Sequence, residues 1–220
     1  MPVGITDLAY SLRKSTVRSA LPISLSHGQQ LVCAALGHRS LASFQAAQAA
    51  KREPQAFDGL AHVVPDFDQL NARAQELGLL VAEGQLRTLI LAAFKDRLPV
   101  ARVHCSYVDL AMHVQEEIEE AVLVDERVNA EMACANYDGV EEVYLEVELD
   151  PEQAAVNEAL KVNIPGQVSL GIDTERPYNG DEVRFEVAVT LVRCGRRCFE
   201  GTDIEVVAAA LDQDWGDTDD

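Results

Sequence analysis

Apolar residues recur at helical spacing through most of the first 136 positions and at strand spacing after that. Ile5, Leu8 and Leu12 predict a short amphipathic helix over 5–18, which Leu21-Pro22 breaks. Ser24 or Ser26 caps the next predicted helix, with Leu31, Val32, Ala35 and Leu36 inward and Gly37 as its stop. Ser40 caps a third, through Leu41, Phe44, Ala47 and about Ala50, before Pro54. Residues 60–64 (LAHVV) read as a short strand, Asp66 as a helix start, and Gly78 as its end. Helices over Glu83–Arg97 and from Tyr107 to about Cys134 follow, the second breaking near Leu123–Asp125, with residues 100–105 extended between them.

The period changes at Gly139. Residues 142–149 alternate strictly, with Val143, Leu145, Val147 and Leu149 on one side and Glu142, Tyr144, Glu146 and Glu148 on the other, which predicts a half-buried strand. Pro151 stands where a first helical residue tolerates proline, so PEQAAVNEAL is read as a short helix. Residues 161–172 and 182–192 are read as strands. The run Cys194-Gly195-Arg196-Arg197-Cys198 is a hairpin turn, and 199–211 is the last strand. The expected fold class is α+β: a helical N-terminal part followed by a mainly antiparallel sheet of β-α-β-β-β order. The corresponding division is 1–136 mainly helical, 137–211 acidic and β-rich, and 212–220 an acidic tail containing Trp215.

Charge changes this picture more than composition does. The chain carries 18 Lys and Arg against 37 Asp and Glu, a net of −19. Residues 1–52 hold six basic groups and one acidic group, net +5, whereas residues 111–220 hold seven basic and 28 acidic groups, net −21. Two surfaces with different partners follow from that split. Direct contact of the acidic half with nucleic acid is disfavoured, because phosphate binding needs local positive charge. No run of about 18 apolar residues is present, so no membrane span is expected. The opening MPVGITDLAYSLRKS lacks the pattern of a secretory signal. A cytoplasmic setting is therefore expected, and five cysteines without a framework spacing fit reduced thiols there.

Within Ser24–Ala47, Leu25-Ser26-His27, Leu36-Gly37 and the pair Leu41 and Phe44 resemble a small helical module of bacterial proteins labelled glyoxalase-related. The resemblance implies a bacterial accessory protein and supplies no mechanism. His38 stands where that module often has an aromatic residue after the glycine. Glyoxalase-type folds are built from βαβββ modules, an order matching the reading of 142–211, but they pair two modules and hold a metal with His and carboxylates.

The candidate chemistry is sparse. His104, Cys105, His113 and Cys134 match no zinc spacing, and no phosphate-binding glycine loop or nucleophile motif occurs, so no metal or cofactor is expected. Glu116, Glu117, Glu119, Glu120, Asp125 and Glu126 put six carboxylates in eleven positions, a solvated face or a surface for a basic partner. The helix-turn-helix-like pair at 26–50 lies in the basic segment. Arg13, Lys14, Arg18, Arg39, Gln45, Lys51 and Arg52 are its candidate contacts to nucleic acid or a partner. Cys194 and Cys198 flank the hairpin turn as a candidate redox pair, and Arg196 and Arg197 either bind the chain's own carboxylates or mark a contact loop. The leading expectation is a non-enzymatic binding or regulatory protein, a protein-protein interaction or inhibitor module whose acidic surface meets a basic partner. The alternatives are a DNA-binding regulator using the helix pair, and a metal-dependent enzyme with a glyoxalase-like sheet. A homo-oligomer stays open.

Overall fold

The computed structural model describes residues 2–17, 22–173, 175 and 180–212. Arg18, Trp215 and the tail from Gln213 onward lie outside the described residues. The elements run α1 (Ile5–Thr16), α2 (Leu25–Ala35), α3 (Leu41–Ala49), β1 (His62–Val63), α4 (Phe67–Glu76), α5 (Glu83–Arg97), β2 (Arg102–Val103), α6 (Tyr107–Val124), α7 (Glu126–Cys134), β3 (Tyr137–Leu145), β4 (Glu158–Ile172), β5 (Glu182–Arg193) and β6 (Cys198–Leu211). The chain is α+β, with its helices before residue 135 and a mixed six-stranded sheet of order β2-β1-β6-β5-β4-β3. β1 pairs parallel with β2 and antiparallel with β6, and β3 pairs antiparallel with β4. Among the described residues no helix is long and apolar enough to cross a membrane.

The helix boundaries follow local chemistry. Ser24, Ser40, Asp66 and Asp125 are the N-caps of α2, α3, α4 and α7, each side-chain oxygen accepting a backbone N–H of the first turn. Gly37 closes α2 at φ 82°, where the N–H groups of Gly37 and His38 reach back to the carbonyls of Ala34 and Cys33.

Two compact units form. The first comprises Met1–Leu110, Pro151–Ala159 and Leu191–Gly201; the second comprises Ala111–Asp150, Leu160–Thr190 and Thr202–Asp220. They do not follow the division near 136–139, because the segments 151–159 and 191–201 group with the helices of the first unit. The core of the first unit contains Leu8, Leu12, Leu31, Val32, Leu36, Phe44, Phe57, Leu70, Leu86, Ile90, Phe94 and Cys198. In the second unit Val114, Ile118 and Val122 of α6 are buried, as are Val128 and Met132 of α7 and the strand residues Ile164, Val168, Val183, Phe185, Val187, Val189 and Val206.

Two elements differ from expectation. The helix read over PEQAAVNEAL does not form: residues 151–157 are turns and β4 starts at Glu158. The guanidinium of Arg193 donates to the carbonyls of Pro151 and Ala154. Asn157 takes φ 68° and gives its N–H to the Arg193 carbonyl. These partners occupy the groups a first helical turn would use, and so short a helix is marginal alone. The βαβββ order drawn from the sequence therefore becomes four successive strands. The second difference is that β3 begins at Tyr137 and stops at Leu145, four residues short of the end of the alternation. Continuing the register past Leu145↔Gly166 sets Glu146 against Pro165, which has no N–H to donate.

Gly166 is required for packing in the second unit, since a Cβ there would overlap the Phe185 ring and press on the Tyr144 carbonyl at 2.8 Å. Gly166→Ala is expected to lower stability by about 2 kcal/mol, whereas Gly201→Ala, with nothing within 4 Å of the new methyl, changes it by less than about 0.5 kcal/mol. Urea denaturation of the two variants checks the contrast.

A candidate anion-binding cleft

The first unit carries a cleft of about 940 Å³. One wall is α3, a short helix of small residues: Ser43, Ala46, Ala47 and its C-cap Ala50 share a face by their three- and four-residue spacing. Asp66 and Gln69 at the start of α4 and Glu152, Ala155 and Val156 of the 151–157 turns form further walls. The basic side chains are Arg52, Arg193 at the end of β5, and Arg196 and Arg197 from the turn joining β5 and β6.

A buried carboxylate fixes that turn. Glu53 is 3% exposed and His38 is fully buried. Glu53 Oε1 lies 2.9 Å from His38 Nε2 and accepts the Arg196 N–H at 2.8 Å. Gly195 passes so close that a Cβ would come within 2.5 Å of Glu53 Oε2. The His38 ring meets Phe44 edge-on at 5.2 Å between centroids, which holds the imidazole against α3.

The arginines are oriented in different ways. Arg193 is held wholly by carbonyl oxygens: its Nη1 reaches Ala154 at 2.9 Å and Pro151 at 3.3 Å, its Nη2 reaches Arg196 at 3.1 Å and its Nε reaches Gly195 at 3.3 Å. Carbonyls orient the guanidinium without neutralising it. Arg196 donates from Nη1 to the Gly37 carbonyl at 2.9 Å, its stem passes beside Gly37, and the residue is exposed overall. Arg197 pairs with Asp66 Oδ2 at 2.6 Å, lies 3.8 Å from Glu152 Oε1, and sits over the Tyr107 ring at 5.1 Å. Burial alone would lower the Arg197 pKa, but the Tyr107 and Asp66 charges hold it above its ordinary value. Arg52 is exposed. Four guanidinium groups thus face the two carboxylates Asp66 and Glu152, leaving an excess of two positive charges in a chain of net −19. Arginine forks match carboxylate and phosphate oxygens in pairs, so the arrangement suits an anionic group.

Of the residues singled out from the basic segment, Arg52 lines this cleft. Arg13 and Lys14 are exposed in the last turn of α1, Arg39 lies exposed between α2 and α3, and Gln45 is exposed on α3, a nine-residue helix bearing no cation. Lys51 takes φ 55°, and its carbonyl accepts from the Asn157 side chain at 2.5 Å. The helical carboxylates do not converge. Glu116 and Glu117 flank His113 at 3.4 and 3.2 Å, Glu119 accepts from Gln115 at 3.0 Å, Glu120 and Glu126 are exposed, and Asp125 caps α7. Among the described residues no three His, Cys, Asp or Glu side chains gather as a metal ligand set. His62 of β1 and His104, directly after β2, share a buried nitrogen–nitrogen contact of 3.1 Å.

Cys194 and Cys198 are free thiols, joined through the backbone by the Cys194 and Gly195 N–H groups on the Cys198 carbonyl. Burial, and then the Glu200 charge, push Cys194 up to about 12. Burial, with the Glu53 charge behind it, pushes Cys33 up to about 12 and Cys198 well above its ordinary value. A thiol held protonated is a poor nucleophile, and in this structure Cys198 is buried and Cys194 partly so.

Sequence reasoning missed Arg193, Glu53 and the His38 contact. One signal was available: Glu53 is the lone carboxylate between Asp7 and Asp58, directly after Lys51-Arg52. Comparison with protein-family models, with curated proteins and with solved structures found no match to the chain.

Glu53→Gln should cost about 3 kcal/mol, because it strips a buried, hydrogen-bonded charge from its partners; urea denaturation reads this directly. The thiols predict alkaline sensitivity. They stay protonated in the folded chain, while in the unfolded chain they ionise near 9.0. Their contribution is therefore fully present below pH 9 and is lost as pH rises toward 12. The loss is on the order of 1 kcal/mol per pH unit for Cys33, and replacing it with Ala should flatten the stability–pH profile over that range.

Proposed function

We propose that the protein is a binding protein whose arginine-lined cleft receives an anionic ligand bearing carboxylate or phosphate groups. The observation that carries this reading is the guanidinium excess over Asp66 and Glu152, with Arg193 fixed by carbonyls and Arg52 and Arg196 extending to solvent. Pre-oriented donors lose little freedom on binding, which is what a ligand site needs. The volume of about 940 Å³ suits a small molecule or the end of a longer one, and the Ala46, Ala47, Ala50, Ala155 and Val156 side chains offer it an apolar wall. The described cysteines form no disulfide, which fits a cytoplasmic setting.

A second reading concerns the other unit, as a surface for a basic partner. It is favoured by one feature: the sequence has no basic residue between Arg127 and Lys161.

The cleft is tested by calorimetric titration of the full chain with pyrophosphate and with citrate, which separate phosphate from carboxylate sources. Arg52→Ala is expected to weaken whichever anion binds by about tenfold, and Arg13→Ala, outside the cleft, to leave it unchanged. Equal losses in both variants, or no binding of either anion, would overturn the reading.

A further inference from the structure

β3 ends the strand order, so its backbone is paired on one side, by β4. The alternation that makes β3 runs on through Glu146, Val147, Glu148 and Leu149, with the two apolar residues half-buried and the two glutamates exposed. Pro165, at the register position facing Glu146, denies this continuation a partner on β4. Residues 142–149 are thus a strand sequence that its own sheet pairs in part.

Alongside β3, within the second unit, lies a cleft of about 530 Å³ lined by Gln115, Glu119 and Leu123 of α6 and by residues 140–145. Its apolar side chains are open to solvent, with Val140 41%, Tyr144 48% and Leu123 39% exposed. Between them stand the exposed Glu141 and Glu142 and the half-buried Glu119. The Tyr144 pKa is raised, first by its hydrogen bond to Glu142 and then by that carboxylate's charge, which marks how acidic this edge is.

A strand edge and a side-chain cleft together are the two parts of recognition by strand addition: main-chain hydrogen bonds give affinity, and alternate side chains give selectivity. The occupant is set by charge. With no basic residue between Arg127 and Lys161, a second copy of this edge would bring like charges face to face, whereas a basic segment is complementary. We propose that the outer edge of β3 takes an extended basic segment of a partner protein as an added strand. Its Lys or Arg side chains lie on the face of the sheet that carries Glu142 and the exposed Tyr144, and its intervening apolar side chains lie on the face that carries Val143 and Leu145. The inference rests on the reading of the second unit as the surface for a basic partner.

The test uses the full chain at physiological salt and two synthetic peptides of equal charge. One alternates Lys and Val; the other has the same sequence with alternate backbone nitrogens methylated, which removes the N–H groups a strand needs. The unmethylated peptide should bind about tenfold more tightly or better, with amide shift changes confined to residues 115–123 and 137–149. The double variant Glu142→Lys, Tyr144→Lys, both at exposed positions, should lose that binding while keeping its circular dichroism. Equal affinity for the two peptides would overturn strand addition and leave a purely electrostatic surface. Shift changes elsewhere would overturn the placement on β3. Failure of both peptides to bind would overturn the basic-partner reading itself.

Discussion

The Glu53 carboxylate is the constraint on which the first unit's site depends. It is buried, and a buried charge is costly unless it is paired and hydrogen-bonded. Its partners come from separate parts of the chain: the His38 ring after α2 and the Arg196 N–H in the β5–β6 turn. The Oε1 contacts of one carboxylate therefore tie the segment after α2 to a strand turn, while its Oε2 is buried without a hydrogen-bond partner among the described residues. Gly195 is the residue that allows the approach, since any side chain there would strike the same carboxylate.

That contact decides where three arginines go. With the turn fixed, Arg193 reaches the carbonyls of the 151–157 turns, Arg196 reaches the Gly37 carbonyl, and Arg197 reaches the helix-capping Asp66. Each guanidinium braces the fold while also lining the cleft. The small residues of α3 matter for the same reason: alanines at 46, 47 and 50 leave the cleft open where longer side chains would fill it. Asp66 serves twice, accepting the Gln69 N–H as a cap and the Arg197 guanidinium as a partner, so the start of α4 and the arginine turn are held in common. The structure redistributes the charge split seen along the sequence, because three of the four cleft arginines come from the acidic half and Arg52 alone from the basic segment. Positive charge is concentrated in a cleft of the first unit, while the second unit presents an acidic strand edge.

Much of the fold was legible, because the signals that define its helices and hairpin are local. Serine and aspartate caps, Gly37 and Gly78, and the alternation at 182–192 each place an element from a few neighbouring residues. The failures are non-local. PEQAAV reads as a helix until Arg193, some forty positions later, takes its carbonyls. EVEL reads as strand until Pro165 is set opposite Glu146 by the register of β4. The site was less legible than the fold. Arg52, Arg196 and Arg197 were singled out, the first as a contact residue and the others at the turn, but nothing near them in sequence indicates that they share a cleft. Arg193 falls one residue past the strand read over 182–192, and Glu53 stands beside Lys51-Arg52, and neither position shows the burial and partners that decide its role.

The central claim is that the arginine-lined cleft takes an anion through its solvent-open guanidinium groups, beside an Arg193 already held by carbonyls. The most direct measurement is a nuclear magnetic resonance titration of the arginine Nε–H signals with the anion that binds. The account predicts shifts at Arg52 and Arg196, whose guanidinium groups are open to solvent, with Arg193 little changed because carbonyls already hold it. Equal movement of Arg13 and Arg39, or none at the cleft arginines, would contradict it.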